Sequence, residues 1–325
     1  MIKVEGLTKR YARNVAVDNI SFEVPKGQIV GFLGPNGAGK TTTMRMLTCF
    51  MPPSSGKASI AGFDVLENPM DVKKRIGYLP ETPPLYPEME VIEYLNFVGK
   101  LKGVASSDLA RRVNEVAEKC NIADVKFKLI SKLSKGYKQR VGLAQAIIHN
   151  PDVLILDEPT AGLDPKQILE TRQLIKGLAG DHTIILSTHI LPEVESVCEQ
   201  VLIINKGKLV ATDSVANLRG RLESGGETVA VEVEGESVDS GKVQSKLEQV
   251  AGVSRVLVKE TKDRRTHFEV ESLQGRSVRA EIARAVVESG WNLTELRPVG
   301  LSLEEVFLQL TGAEKAAEKG TSDNE

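Results

Sequence analysis

The chain has 325 residues, enough for about two domains, and its composition is that of a globular protein. Hydrophobic residues make up 41% of the chain and charged residues 26%, which excludes a fully disordered, collagen-like or disulfide-scaffold protein. The 42 basic residues nearly cancel the 44 acidic residues, leaving a net charge of −2. No overall positive field therefore favours binding to nucleic acid.

The sequence gives no sign of membrane insertion or export. Its apolar runs are strand-sized and fall well short of the ~18 residues of a membrane-spanning helix. Charged residues interrupt the start of the chain, at Lys3 and Glu5, where a signal segment would be continuously apolar. The three cysteines, Cys49, Cys120 and Cys198, are widely spaced and form no C-x-x-C pair. We therefore expect a cytoplasmic chain with reduced thiols.

The first two thirds of the sequence alternate between strand and helix patterns. An apolar strand at 28–33 is followed by a glycine-rich loop at 34–39 and a helix at 40–50. Further buried strands are predicted at 153–156, 183–186 and 201–204. This alternation predicts an α/β domain over residues 1–220, built on a mostly parallel sheet with helices on both faces. Helix-rich sequence at about 83–149 indicates an inserted helical subdomain.

The last third of the chain has a different pattern. A stretch rich in Arg, Gly, Ser and Glu near 218–228 is typical of a linker. Beyond it, alternating and helical apolar spacings predict β-α-β-β-α-β, a small α+β (ferredoxin-like) accessory domain over 228–312. Ser302 and Glu305 form a predicted capping box for a final amphipathic helix. Residues 313–325 are predicted to be a disordered tail.

A glycine-rich loop follows the first buried strand and opens a helix. It fits the pattern G-x-x-x-x-G-K-[ST] with Gly34, Pro35, Asn36, Gly37, Ala38, Gly39, Lys40 and Thr41. In this pattern backbone N–H groups turn inward around a polyphosphate, and the positive end of the helix adds to the attraction. Lys40 can reach the β- and γ-phosphates, and the Thr41 hydroxyl can ligate Mg²⁺. The loop therefore predicts a polyphosphate site with Mg²⁺.

Two carboxylates follow the strand at 153–156. Ligands of open α/β sheets bind at the carboxyl ends of the strands, where Asp157 and Glu158 lie. Asp157 is a candidate to hold Mg²⁺ through water. Because side chains alternate along a strand, we expect Glu158 to point away from Asp157 and to act as general base toward an attacking water.

A third phosphate-binding element precedes the helix at 139–148. In the run Leu-Ser-Lys-Gly-Tyr-Lys-Gln-Arg, Ser134, the N–H of Gly136 and the positive end of the helix form a second cradle for a phosphate. By itself this run is also compatible with an ordinary helix start.

In their order along the chain, these motifs resemble the nucleotide-binding subunit of the ATP-binding cassette (ABC) family over residues 1–220. The resemblance implies that Gly34 through Thr42 form the Walker A motif and that Asp157 and Glu158 belong to the Walker B motif. It implies adenine stacking for Tyr11, a place in the D-loop for Asp164 and a γ-phosphate contact for the switch histidine His189. Ser134 and Gly136 would belong to the family signature and bind ATP.

Two positions depart from the family pattern. The usual LSGGQ signature stands here as Leu-Ser-Lys-Gly-Tyr, which keeps Ser134 and Gly136. The glutamine loop carries Glu81, which when ionised can only accept hydrogen bonds. A place for Glu81 near Mg²⁺ or the attacking water is therefore an expectation, and an exposed loop acid is its alternative.

The resemblance also implies partners and a location. The family signature acts across a head-to-tail homodimer, and two ATP molecules with Mg²⁺ lie between the copies. The chain is expected at the inner face of the cell membrane, where a separate integral-membrane permease would carry out transport, with export favoured by the accessory domain. The alternative is a soluble cassette ATPase acting on DNA or ribosomes, although long heptads and a second cassette are missing from the sequence.

Overall fold

The computed structural model describes residues 1–215, 217, 228–234, 239–262, 264–273 and 276–298. The chain divides into two compact units, Met1–Val215 and Ala216–Glu325. Most of the predicted linker, the capping box of Ser302 and Glu305 and the tail at 313–325 lie outside the described residues.

The first unit contains ten strands and seven α-helices within the described residues. The strands are β1 (Ile2–Tyr11), β2 (Asn14–Val24), β3 (Ile29–Leu33), β4 (Ser55–Ile60), β5 (Phe63–Asp64), β6 (Ile76–Leu79), β7 (Val153–Asp157), β8 (Thr183–Thr188), β9 (Gln200–Asn205) and β10 (Lys208–Ser214). The helices are α1 (Lys40–Leu47), α2 (Pro69–Arg75), α3 (Val91–Leu101), α4 (Ser106–Lys119), α5 (Lys135–Ile147), α6 (Pro165–Gly177) and α7 (Leu191–Val197). Across the described ranges, no helix combines the length and the apolar character needed to span a membrane.

The main sheet has the strand order β10-β9-β3-β8-β7-β6. Within this sheet, neighbouring strands from β9 to β6 are parallel, and β10 pairs antiparallel with β9. Every residue of β3 and β7 is buried, which explains why these strands are continuous apolar runs in the sequence. The predicted α/β sheet domain is confirmed, and β3, β8 and β7 are neighbours whose carboxyl ends share one edge.

A second, antiparallel sheet was not predicted from the sequence. It has the order β2-β1-β4-β5 and joins distant segments, as in the pairing of Ile2 with Ile60. Half of the residues of β4, Ser-Gly-Lys, are exposed, so the strand shows no apolar run that would identify it. Val4 of β1 and Met44 of α1 belong to the same hydrophobic cluster as Leu202 of the main sheet.

Helices α3, α4 and α5 pack on one another, in the region predicted to be helix-rich. Helix α5 begins at Lys135, four residues before the predicted start, because the Ser134 hydroxyl caps it by accepting from the Tyr137 N–H (3.4 Å). The helix also lies very close to β6. A Cβ at Gly77 would stand 2.1 Å from the carbonyl oxygen of Ala146, so only glycine fits there.

The second unit has the element order predicted for the accessory domain. Its elements are β11 (Thr228–Glu234), α8 (Ser240–Glu248), β12 (Val253–Lys262), β13 (Arg265–Ser272), α9 (Arg279–Glu288) and β14 (Asn292–Pro298). The strands form an antiparallel sheet in the order β12-β13-β11-β14. Val231 and Phe268 of the sheet pack with Val243 and Ile282 of the helices in one buried core.

The three cysteines are free thiols in poorly reactive surroundings. Cys120 and Cys198 are buried, and Cys49 is partly buried. Burial raises the pKa of both the Cys120 and the Cys198 thiol to about 12. Burial also raises the pKa of Cys49. The expectation of reduced, packed thiols agrees with these surroundings.

Candidate functional site

The phosphate loop joins β3 to α1 at the carboxyl edge of the main sheet. Gly37 and Gly39 have φ angles of 79° and 107°, a left-handed region that favours glycine. A Cβ at Gly34 would stand 2.4 Å from the carbonyl oxygen of Ile204, so the loop needs glycine there for a second reason, close packing. The N–H of Gly34 donates to the carbonyl of Thr188, which ties the loop to the end of β8 (3.3 Å).

The loop borders an open cavity of about 330 Å³. The cavity is lined by Ala16, Asn36, Gly37, Gly39, Lys40, Thr41, Thr42, Glu81, Glu158, Ala161 and His189. Glu81, Glu158 and His189 lie far apart in sequence from the loop, and the fold brings all three to it. Gly34, Pro35 and Ala38 belong to the loop but do not line the cavity.

Lys40 is buried at the base of the loop. Its Nζ donates to the carbonyl oxygens of Gly34 (2.8 Å) and Pro35 (3.2 Å). The same Nζ lies 3.3 Å from Oε1 of Glu158. The ammonium is thus held beside a carboxylate in the lining of the cavity, where it can meet a polyphosphate as a point charge.

Glu158 does not continue the alternation of β7, contrary to the expectation that it points away from Asp157. The strand ends at Asp157, and Glu158 adopts a left-handed backbone with φ 49°. Its Oε2 lies 2.9 Å from Nδ1 of His189, while Oε1 faces Lys40. Both carboxylates therefore reach the phosphate loop, and Glu158 stands between a cation and an imidazole.

Asp157 is almost fully buried, with 1% of its surface exposed. Its Oδ1 accepts hydrogen bonds from the hydroxyls of Ser187 and Thr41, the latter at 3.3 Å. Burial raises the pKa of Asp157, and these two hydrogen bonds oppose the shift. The Thr41 hydroxyl, Asp157 and the nearby Glu81 offer oxygen atoms alone, the donor set that Mg²⁺ prefers.

Tyr11 does not line the cavity. It ends β1, with its hydroxyl 3.0 Å from Sδ of Met51 and the Lys9 ammonium 5.4 Å from its ring centre. The side chain is 43% exposed, and the Lys9 ammonium lies over its ring.

The signature residues do not line this cavity of their own chain either. Ser134 caps α5, and Gly136 approaches α6 so closely that a Cβ would stand 2.6 Å from the side chain of Gln167. The Lys135 ammonium lies against Gly162, and a Cβ added to Gly162 would stand 2.2 Å from this ammonium. Asp164 caps α6 by accepting from the Gln167 N–H (2.9 Å). The segment of Lys135 and Gly136 thus packs directly against Gly162 and Gln167.

Sequence reasoning missed a group of buried polar residues behind the site. Ser187, as described, donates to Asp157, and Glu193 of α7 accepts from the hydroxyls of Thr160 and Thr188. One feature of the sequence indicates such a residue: Glu193 lies between Leu191 and Val194, in an otherwise apolar stretch of a short helix. A buried acid at such a position requires partners.

Comparison with known proteins identifies the class to which this arrangement belongs. The ABC transporter family pattern matches residues 17–161. The ABC transporter ATP-binding protein YxlF of Bacillus subtilis is 34% identical over 96% of this chain and 100% of its own length. The linearmycin resistance ATP-binding protein LnrL of Bacillus subtilis is 31% identical over 96% of this chain and 98% of its own length.

A solved structure of the ATP-binding subunit of an ABC transporter has a TM-score of 0.62 at 29% identity. The match covers 69% of this chain and 93% of the solved chain. The chain therefore belongs to the ATP-binding proteins of ABC transporters. It is an ATP-hydrolysing subunit whose ATP turnover drives transport.

Proposed function

We propose that Glu158 is the general base of ATP hydrolysis in this chain. The observation that carries the proposal is the position of its carboxylate, 3.3 Å from Lys40 Nζ and 2.9 Å from His189 Nδ1 at the mouth of the phosphate loop. A carboxylate held there can take a proton from water that attacks the γ-phosphate in line. With only 8% of its surface exposed, Glu158 is also shielded from bulk water.

Lys40 and His189 have complementary roles in this proposal. The Lys40 ammonium exchanges its carbonyl partners for the β- and γ-phosphate oxygens and offsets the negative charge that develops there. His189 orients Glu158 through Nδ1 and leaves the rest of its ring, on a 43% exposed side chain, to contact the γ-phosphate. The N–H groups of Asn36 to Thr42 enclose the phosphate chain.

Mg²⁺ fits the oxygen donors beside the loop. Thr41 and Asp157 would hold it, Asp157 through water, and Glu81 would reach it from the segment after β6. When held there, the cation would offset the negative charge of the triphosphate during hydrolysis.

We further propose that the working unit is a head-to-tail homodimer. Ser134 and Gly136 do not line the cavity of their own chain and lie at the N-terminus of α5, the positive end of a helix, which attracts a phosphate. In the homodimer they would bind the ATP held by the partner's phosphate loop, with Asp164 at the interface. Tyr11 would stack on the adenine ring. Residues 1–220 would form the cassette, and the accessory domain at 228–312 would reinforce the dimer.

Transport also requires a path through the membrane. We propose a separate integral-membrane permease, with the chain at the inner, cytoplasmic face of the membrane. A groove beside the segment after β6 offers a mostly apolar docking surface for the permease, and its lining includes Phe50, Tyr78 and Pro84 together with Arg45 and Lys102. LnrL is named for resistance to linearmycin, and this name supports export as the direction of transport. Nucleic acid is not an expected partner.

The variant Glu158→Gln tests the general base. Glutamine keeps the size of the side chain but cannot accept a proton, so ATP turnover should fall about 10²–10⁴-fold while ATP binding persists. Gel filtration with Mg-ATP should then show an accumulated dimer that ADP does not support. Glu118→Gln, an exposed acid of α4, is the matched control and should hydrolyse ATP normally. Wild-type turnover by Glu158→Gln would assign the base to another acid, with Glu81 the next to test.

A further inference from the structure

Glu193 is a buried carboxylate for which the hydrolysis scheme above has no role. It lies on α7 with 1% of its surface exposed, and Nη2 of Arg172 is 3.9 Å from its Oε1. Burying an acid so fully is costly unless hydrogen bonds compensate. Its position therefore requires an explanation from its partners.

Those partners are two threonine hydroxyls from different segments. Oε2 accepts from Oγ1 of Thr188 at 2.7 Å, and Oε1 accepts from Oγ1 of Thr160. Both threonines are buried, so neither hydroxyl can turn to bulk water instead. Hydrogen bonds to an ionised acceptor are shorter and stronger than neutral ones, and the two oxygens of one carboxylate fix both segments at once.

The two segments are those that carry the reacting groups. Thr160 follows Glu158 by two residues, and the carbonyl of Glu158 accepts from the N–H of Ala161 (3.1 Å) within the same turn. Thr188 directly precedes His189, and its carbonyl accepts from the N–H of Gly34 in the phosphate loop (3.3 Å). One carboxylate thus joins the turn after β7 to the end of β8, immediately behind the contact between Glu158 and His189.

We propose that Glu193 is a positioning residue for ATP hydrolysis, which holds Glu158 and His189 at hydrogen-bonding distance by clamping Thr160 to Thr188. This inference rests on the proposed roles of Glu158 and His189. It acts through geometry, because Glu193 lies behind the cavity and is absent from its lining. ATP affinity should therefore depend little on Glu193, and the chemical step should depend on it strongly.

The test is Glu193→Gln in the full chain. The glutamine side chain has one carbonyl oxygen, so it can accept from one threonine in the present arrangement and presents an amide donor to the other. We expect kcat to fall by about 10-fold or more, since small displacements of reacting groups have large effects on rate. The KM for ATP should stay within about 2-fold. Glu195→Gln, an exposed acid on the same helix, should leave both constants unchanged.

A double-mutant cycle separates positioning from a general effect on folding. In a His189→Ala chain the imidazole that Glu193 positions is absent. Adding Glu193→Gln to that chain should therefore lower the rate of single-turnover hydrolysis less than about 2-fold. Equal factors in both backgrounds would show a structural role and overturn the proposal. If Glu193→Gln folds poorly, Thr160→Val and Thr160→Ser replace it: serine keeps the hydroxyl and should keep most activity, whereas valine should not.

The outcomes distinguish this inference from the proposal on which it rests. If Glu158→Gln loses activity but Glu193→Gln retains wild-type kcat, only the clamp is wrong. If Glu158→Gln hydrolyses ATP normally, the general base is wrong, whatever Glu193→Gln does.

Discussion

At the scale of single residues, Asp157 shows a conflict between folding and function. Its carboxylate must be ionised to hold a cation, yet it is buried, and burial raises its pKa above the ordinary value of 3.8. A raised pKa means that the folded chain binds the proton more readily than the unfolded chain does. At pH values above the raised pKa, the buried charge of Asp157 should therefore lower the free energy of unfolding. This destabilisation should be lost as the pH falls through the raised pKa.

We expect Asp157→Asn to stabilise the nucleotide-free chain while it removes Mg²⁺ binding. At pH 7 the free energy of unfolding should rise by about 1 kcal/mol, since asparagine can keep an acceptor for Ser187 and Thr41 without a buried charge. The difference should shrink as the pH is lowered toward 4. Urea unfolding at several pH values measures both effects. Asp181→Asn, an exposed acid, is the control, and a destabilised Asp157→Asn chain at pH 7 would contradict the argument.

The residues of the site differ in how well the sequence predicts them. The phosphate loop is a local motif, and each of its residues follows from the needs of one short turn. The contacts of Glu158 with Lys40 and His189 could not be predicted from a local motif, because they depend on the left-handed backbone of Glu158 itself, just after β7. Glu193 was missed because its partners Thr160 and Thr188 become neighbours only in the folded chain.

At the scale of elements, the sequence predicts the buried strands better than the exposed ones. β3, β7, β8 and β9 are apolar runs because they are almost entirely buried in the main sheet, and burial leaves a local signal. The strands of the antiparallel sheet are mixed in polarity, and the pairing of β1 with β4 joins residues about fifty positions apart, such as Ile2 and Ile60. Long-range pairing of this kind leaves little trace in a single sequence.

The contact between β6 and α5 gives a prediction for helix packing. Gly77→Ala would place a Cβ 2.1 Å from the Ala146 carbonyl and force the helix away from the sheet. We expect a loss of about 1–3 kcal/mol in unfolding free energy, typical of overpacking. Gly177→Ala at the end of α6 is the matched control, because its Cβ meets no atom within 4 Å and should be neutral or slightly stabilising. Equal stabilities of the two variants, measured by urea unfolding, would refute the tight contact.

At the scale of the whole molecule, the proposed homodimer makes two sites from halves of two chains. Lys40→Ala removes the phosphate-loop cation, and Ser134→Arg blocks the signature, so each variant alone should be inactive. In a heterodimer of the two, one composite site keeps both an intact Lys40 and an intact Ser134. Mixing the variants should restore at most about half of the turnover of the unchanged dimer, measured as phosphate release. A heterodimer that forms but stays inactive would exclude the head-to-tail arrangement.

The surroundings of the three cysteines bear on how such a dimer could be observed. Only a thiolate reacts readily with maleimide dyes, and at neutral pH the raised pKa values keep Cys49, Cys120 and Cys198 protonated. A cysteine introduced at an exposed position, such as Lys132→Cys two residues before Ser134, should therefore label far faster than the native three. Fluorescence energy transfer between two labelled copies could then follow their approach during ATP turnover without first removing any native cysteine.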